Sequence, residues 1–533
     1  MITIHILPDD VLLEVFDCYV GEVREIEGWE VLVHVCRRWR CLLFGSPRRL
    51  NLQLVCTPRT PARALDIWPV LPLVIQGHIS SISGVDNTVV ALRRSSHIFK
   101  IDLWGSSGSE SEELLAAMQQ PFPEVTHLQF GAYDAPIIPD SFLGGSAPRL
   151  QYLHLEFIPF PGLPNLLLSS IHLVELHLHG IPQSGYLSPE VMVTCLSALT
   201  SLERLSLGFQ SPQSYPNRES QRHSLQARSI FPTLTNFKFR GVSEYLDDFV
   251  ARIDTPRLSN LHIIFFNQID FDTPQLSQFI RRTPRLDEPD EAHVIFHHEM
   301  VLIRFLSRAF GHGELHVEIS CSGLEWQLSS LTQVCALCLP AFSTVETLCI
   351  HHLLPPNGWK TKKNGIEDAQ WLDFLRPFDC AKNLYLSRIF ASGVGSSPEL
   401  IWDRMVEVFP ALQIIVVDGQ KYKIIRGIQQ FVDARRLTAH LDWFKVKRLH
   451  YSPSSYSPFV LDTSSFATSR RRRRNAFSLH YSPSPRIHFV PSPHAPPRDS
   501  APSPDSLVHI FPTSLQTHID TRTATDNINT ITT

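Results

Sequence analysis

One short template recurs along this chain and limits what it can fold into. It reads Leu-x-x-Leu-x-Leu at Leu150/Leu153/Leu155, Leu173/Leu176/Leu178 and Leu202/Leu205/Leu207, and again as Leu258/Leu261/Ile263. Two apolar residues one position apart put both side chains on the same face of a strand. Such pairs also stand at Leu73/Ile75, Ile101/Leu103, Leu128/Phe130 and Phe237/Phe239, then at Val294/Phe296, Val317/Ile319, Leu348/Ile350, Leu384/Leu386 and Ile415/Val417. Successive pairs lie 23 to 36 residues apart. A single pair carries no information; the shared framing does. Pro123, Pro148, Pro232, Pro256 and Pro410 each stand two residues before the first apolar position of the template. A proline there ends a helix and extends the chain into a strand. Helix-like stretches fill the intervals at 109–120, 189–197, 244–253 and 274–281.

A strand, then a helix, then a parallel strand at a near-constant period is the pattern of stacked repeats in which no unit can bury its own apolar edge. Residues 56–440 therefore resemble a leucine-rich-repeat solenoid, a β/α horseshoe. The resemblance is divergent: Gly131, Glu156, His179 and Gly208 stand where that family places asparagine, and several units exceed its usual length of roughly 20–29 residues. The plainer reading is an α/β domain with an unrepeated parallel sheet.

The N-terminus has a different period. Pro8 suits the first position of a helix, and Asp9 and Asp10 place negative charge on its first turn. Val11, Leu12, Val15, Phe16 and Tyr19 recur at helical spacing. Leu32, Val35, Cys36, Trp39 and Leu43 form a second stripe with Arg37, Arg38 and Arg40 off it, and Ser46-Pro47 reads as the start of a short third helix. Three short helices bury too little surface to stand alone, so part of their apolar face needs a partner. Residues 1–55 resemble an F-box, on the joint pattern Leu7-Pro8, Val11-Leu12, Val15-Phe16, Val35-Cys36 and Trp39. The resemblance implies a three-helix module that docks on the Skp adaptor of cullin-type ubiquitin ligases through those nine residues. An ordinary helical hairpin packing on its own domain is the alternative. Stretches such as 46–52, 140–148 and 265–274 look typical of fungal, mushroom-type F-box proteins.

At 533 residues the chain has room for several domains or one long solenoid, and its net charge of -4 creates no field that would draw nucleic acid or a membrane. Ten cysteines lie scattered, which suits reduced thiols. The F-box pattern starts within about six residues of Met1, leaving no room for a signal peptide. With no apolar run of 18 residues and no Asn-x-Ser/Thr site, a cytoplasmic or nuclear protein is expected. Residues 441–533 are expected to be a low-complexity, disordered tail. From 451 onward there is no Lys, Glu, Gly, Cys, Met or Trp, and 11 of the 40 prolines fall there. The run Arg470–Arg474 reads as a nuclear-import or nucleic-acid patch, as a solvated charge run, or as sequence from outside the true reading frame.

Catalytic signatures are lacking. Cys335-x-x-Cys338 with His351 mimics half of a zinc-finger spacing, but the next histidine is the adjacent His352, so the cysteines read as buried thiols of a repeat helix. His297-His298-Glu299 lacks a second helical histidine, and Gly311-His312-Gly313 opens no phosphate loop. No cofactor, no metal and no enzymatic activity are expected. The resemblances imply a non-catalytic substrate receptor of a Skp–cullin–F-box ligase, with the adaptor and its cullin and RING subunits as partners. An F-box scaffold without ubiquitin transfer is the alternative. The residues between the paired leucines should line the concave surface and meet a protein target. They are Gln129, His154, His177, Ser206, Lys238 and His262, a stripe of roughly 25 Å at about 4.8 Å per strand. Such positions are equally expected of any solvated sheet face.

Overall fold

Each apolar pair of the sequence pattern lies on a strand. The computed structural model describes residues 6–22, 28–47, 50–60, 65–79, 82–105, 108–133, 137–214, 227–268, 271, 273–307, 313–337, 344–352, 368–387, 407–418 and 445–449. Helices α1 (Asp9–Glu22), α2 (Gly28–Val33) and α3 (Arg37–Gly45) come first. There follow β1 (Leu54–Cys56), β2 (Leu73–Ile79), α4 (Ile82–Leu92), β3 (Ile98–Gly105), α5 (Gly108–Ala117), β4 (His127–Ala132), β5 (Tyr152–Glu156) and α6 (Leu163–Ser169). Next are β6 (Glu175–Ile181), α7 (Pro189–Leu196), β7 (Arg204–Phe209), β8 (Ser229–Ile230), β9 (Asn236–Gly241), α8 (Ser243–Val250), β10 (Ile253–Asp254), β11 (Asn260–Phe265) and α9 (Pro274–Arg281). The chain then makes β12 (Glu291–Phe296), β13 (Met300–Leu306), β14 (Glu314–Ser320), α10 (Leu324–Leu337), β15 (Thr347–His352), α11 (Asp368–Leu375), β16 (Asn383–Leu386), β17 (Ile414–Asp418) and β18 (Lys445–Leu449).

Sixteen of these strands form one sheet, with β8 and β10 forming a separate parallel pair. From β1 through β7, then β9 and β11, neighbours in sequence are neighbours in the sheet, all parallel. The apolar pairs align in register: Leu128 faces Leu153, Leu153 faces Leu176, Leu176 faces Leu205, and Leu205 faces Phe237. All five are buried. On the same side the helices stack on one another, α4 on α5, α6 on α7, α7 on α8 and α8 on α9. Alternation at period two thus builds a continuous core on one face, and each buried leucine contributes roughly 1.5–3 kcal/mol.

The prolines act through a turn more than as helix stops. Leu150 donates its N–H to Ala147 O at 3.1 Å, Leu258 to Thr255 O at 3.2 Å, and Leu412 to Phe409 O at 3.3 Å. Each of these places Pro148, Pro256 or Pro410 second in a four-residue turn, where its fixed φ belongs and its missing N–H is not needed. The turn aims the next leucine inward and launches the strand.

Two expectations need correction. Val294/Phe296 and Val317/Ile319 are not successive repeat units. β12, β13 and β14 form an antiparallel meander, so the sheet order runs β11-β14-β13-β12-β15. β14 returns beside β11 and β12 is carried across to β15, both pairings being parallel. The parallel sheet then continues through β18, beyond the expected boundary at 440. The second correction concerns the N-terminus. The stripe from Leu32 to Leu43 is not one helix, because α2 ends at Val33 and Cys36 stands in extended conformation (φ -159°, ψ 169°) before α3. Arg40 Nε donates to Val33 O at 3.0 Å, satisfying a carbonyl left open by that break. Ser46 closes α3 instead of opening a further helix.

The helical module shares the core of the sheet. Trp29 packs edge-on against Phe44 (6.1 Å) and Trp68 (5.4 Å) and donates Nε1–H to Gln53 O at 2.9 Å. By internal contacts, the described residues all fall in one compact unit. Apart from β18, the expected tail lies outside the described residues. Among the described residues no helix is long and apolar enough to cross a membrane.

Candidate interaction surfaces

The start of α1 is held down by one arginine. Leu12 donates its N–H to Pro8 O at 3.1 Å, making Pro8 the cap of the first turn. Arg38 of α3 donates through Nη2 to Leu7 O at 2.6 Å and through Nε to Asp9 Oδ1 at 3.0 Å. Phe16 meets Trp39 edge-on at 4.8 Å. Of the nine residues expected to meet an adaptor, Leu12 and Phe16 are fully buried and belong to the module's own core. Leu7, Cys36 and Trp39 are half-buried. Pro8, Val11, Val15 and Val35 are exposed, the last at 54%. Val11, Val15 and Tyr19 repeat every four residues on one face of α1, and all three are exposed. The turn that breaks the expected helix is what turns Val35 outward.

The second surface is the sheet face opposite the stacked helices. Gln129, His154, His177, Ser206, Lys238 and His262 are consecutive partners in register, as the pattern required. The row continues through His316, Arg304, His293 and Cys349 to Tyr385. A parallel row two residues further along carries Glu156, His179, Arg240 and Glu318. The continuation past His262 escaped the sequence reading because the meander reorders the strands. The signal of both rows is nonetheless present as polar residues two apart: His154/Glu156, His177/His179, Glu291/His293 and Glu314/His316/Glu318.

The face is less open than alternation alone implies. Ser206 is buried, joined to His179 by a 2.7 Å hydrogen bond between Oγ and Nε2, and the other five residues are half-buried. Strands 4.8 Å apart bring imidazoles against each other: the rings of His154, His177 and His179 lie 4.9–5.9 Å apart. Burial makes the charged imidazole costly, so the pKa of His154 falls to about 4, with the neighbouring His177 adding to the effect. His179 falls to about 2 and His316 to about 4, again mainly through burial. Burial pushes the Glu156 carboxyl up to about 7 and the Tyr152 phenol up to about 12. His177 Nε2 stands 3.3 Å from Glu175 Oε2, while His262 Nε2 is 3.9 Å from Glu318 Oε2, beyond hydrogen-bond reach. The surface is a polar, largely uncharged imidazole array with Lys238 and Arg240 at its centre.

At one end of this face the side chains are aromatic. Trp104 lies over Gly131, where a Cβ would meet the indole at 2.3 Å. Tyr133 packs on Trp104 (5.6 Å) and stacks with Phe157 (5.3 Å). Glycine stands here, where a leucine-rich repeat carries asparagine, because a neighbouring ring needs the room.

Of the other motifs weighed from sequence, Cys335 is buried in α10, and Cys338 and His312 lie outside the described residues. His351 sits instead beside His293 and Cys349 on the open face. No family model matches the chain, and no curated protein matches it. Among solved structures, the leucine-rich-repeat-containing protein LegL7 from Legionella pneumophila aligns with 67% of this chain and 98% of its own, at 12% identity and a TM-score of 0.27.

Proposed function

We propose that this chain is a substrate receptor of a Skp–cullin–F-box ubiquitin ligase. In this reading the three N-terminal helices act as an F-box on a Skp-type adaptor. The leucine-rich-repeat-like sheet offers its open face to a protein target. The chain supplies proximity and no catalytic group. The observation that supports it most directly is the set Pro8, Val11, Val15, Tyr19 and Val35, exposed around a helix start that Arg38 pins in place. Apolar side chains so arranged suit a partner groove, and truncation of an anchor in such an interface costs about 2–4 kcal/mol.

The test is a titration of a purified Skp-type adaptor against the full chain. Val11→Asp with Val35→Asp should weaken binding at least tenfold. Because both positions are exposed in the free chain, the thermal midpoint should not move. Unchanged affinity removes the F-box reading. Co-purification of cullin and RING subunits with the tagged protein then separates a ligase receptor from a scaffold.

A further inference from the structure

A distinct group of side chains stands further along the open face, where β12 meets β15. His293 and Cys349 face each other in register, and His351 follows two positions along β15 opposite Ile295. Ala292, Val294, Leu348 and Ile350 are buried on the helix side. Alternation therefore sends His293, Cys349 and His351 to the open face together. One nitrogen from each imidazole and the Cys349 Sγ all lie within 4.8 Å of one another. Cys349 is 6% exposed, both histidines are half-buried, and the two rings are parallel with centroids 5.6 Å apart. Glu291, two residues before His293, holds that ring through a 2.7 Å contact between Oε1 and Nε2.

We propose that His293, Cys349 and His351 bind a single Zn²⁺ ion, its fourth position open to water or to a donor from a bound partner. Two imidazoles and a thiolate are a zinc donor set, and they come here from paired strands that hold their backbones fixed. Zinc–nitrogen bonds of about 2.0–2.1 Å and a zinc–sulfur bond of about 2.3 Å put tetrahedral donors roughly 3.3–3.6 Å apart. From spacings within 4.8 Å, the donors have to draw together by no more than roughly 1.5 Å to close on an ion. Glu291 occupies the place of the carboxylate that orients a ligating histidine and raises its basicity, leaving the other ring nitrogen for the metal. As Sγ binds, the thiol proton leaves to solvent. The dication, the thiolate and the Glu291 carboxylate then sum to no net charge, which a half-buried site tolerates.

The experiment uses the full chain, stripped with a chelator and titrated with Co²⁺, which reports thiolate ligation by a charge-transfer band in the near ultraviolet. One equivalent should saturate the band, and added Zn²⁺ should bleach it. Cys321→Ser, a buried cysteine elsewhere, should leave it intact. Cys349→Ser should abolish it, and Glu291→Gln should weaken Co²⁺ affinity roughly 10- to 100-fold. If Cys349→Ser shows no cooperative thermal transition, His293→Gln with His351→Gln is read in its place and should lose saturable binding. No band in the wild-type chain overturns the proposal. So does an unchanged band in Cys349→Ser or, where that variant does not fold, in the double histidine variant.

Discussion

Acidification should destabilise this protein through its open face. The groups concerned are His154, His179 and His316, all half-buried or buried and all with pKa values driven down mainly by loss of solvent, to about 4, 2 and 4. Around them stand His177, Glu156, Glu175, Lys238, Arg240, Arg304, Glu314 and Glu318. An unfolded chain protonates histidine near 6.5, so between about pH 6.5 and 4 the unfolded state holds more protons than the folded one. Stability therefore rises with pH across that window: it is fully present above 6.5 and is lost as pH falls. Going from pH 7 to 5 costs roughly 2 kcal/mol for each of the three. Glu156 works in the opposite sense. Its carboxyl is raised to about 7, so the same acidification relieves a buried charge and returns about 2 kcal/mol. The net loss is on the order of 4 kcal/mol, a large share of an ordinary folding free energy. Urea denaturation at pH 7, 6 and 5 reads it, and His154→Gln, which cannot titrate, should make the slope visibly shallower. A stability that is flat or rising toward pH 5, or an unchanged slope in the variant, refutes the argument.

Two further outcomes follow from the geometry. Leu176→Ala removes a fully buried leucine from the middle of the ladder, between Leu153 and Leu205, and should cost about 2–5 kcal/mol in chemical denaturation. For target capture, His177, Lys238 and His262 changed together to Glu should abolish retention of a co-purifying target while adaptor binding persists; a target that stays bound places recognition elsewhere. His154 is left out of that set because at 15% side-chain exposure a new carboxylate there would test folding instead.

The repeat was legible because its core residues alternate. A strand buried on one face must read apolar at every second position, and Leu153/Leu155 or Phe237/Phe239 do so whatever the sequence between. The meander was not legible for the same reason. In β13, Val301, Leu302, Ile303 and Phe305 are all buried, so Met300–Leu306 reads as an apolar run with no period. On the open face Leu302 lies between Ile295 of β12 and Glu318 of β14 and is itself buried, so this strand has apolar residues on both faces. Strands β12 and β14 kept their alternation, which is why they were found but placed in the wrong order. In the N-terminal module the spacing from Leu32 to Leu43 fits a helix, and side-chain period alone carries no mark of the break at His34–Cys36.

Alternation says which side of the sheet a residue faces, and register then follows once strands are parallel and consecutive. This was enough to align Gln129 with His154, His177, Ser206, Lys238 and His262 across six strands. It cannot say how deep each residue sits, because depth depends on the row alongside. Ser206 disappears beneath His179, which stands where a repeat of the expected kind would carry asparagine. Nor can it bring together residues whose strands change places. Val294 and Leu348 are 54 residues apart and, in a regular solenoid, would be separated by the strand carrying Val317. Reversal of the meander moves that strand to β11 and sets β12 directly against β15. Only through that exchange does His293 come to face Cys349, with His351 alongside. The departure from the repeat thus creates the one three-residue group of metal-ligating side chains among the described residues, and a regular solenoid of the same strands would have kept its members apart.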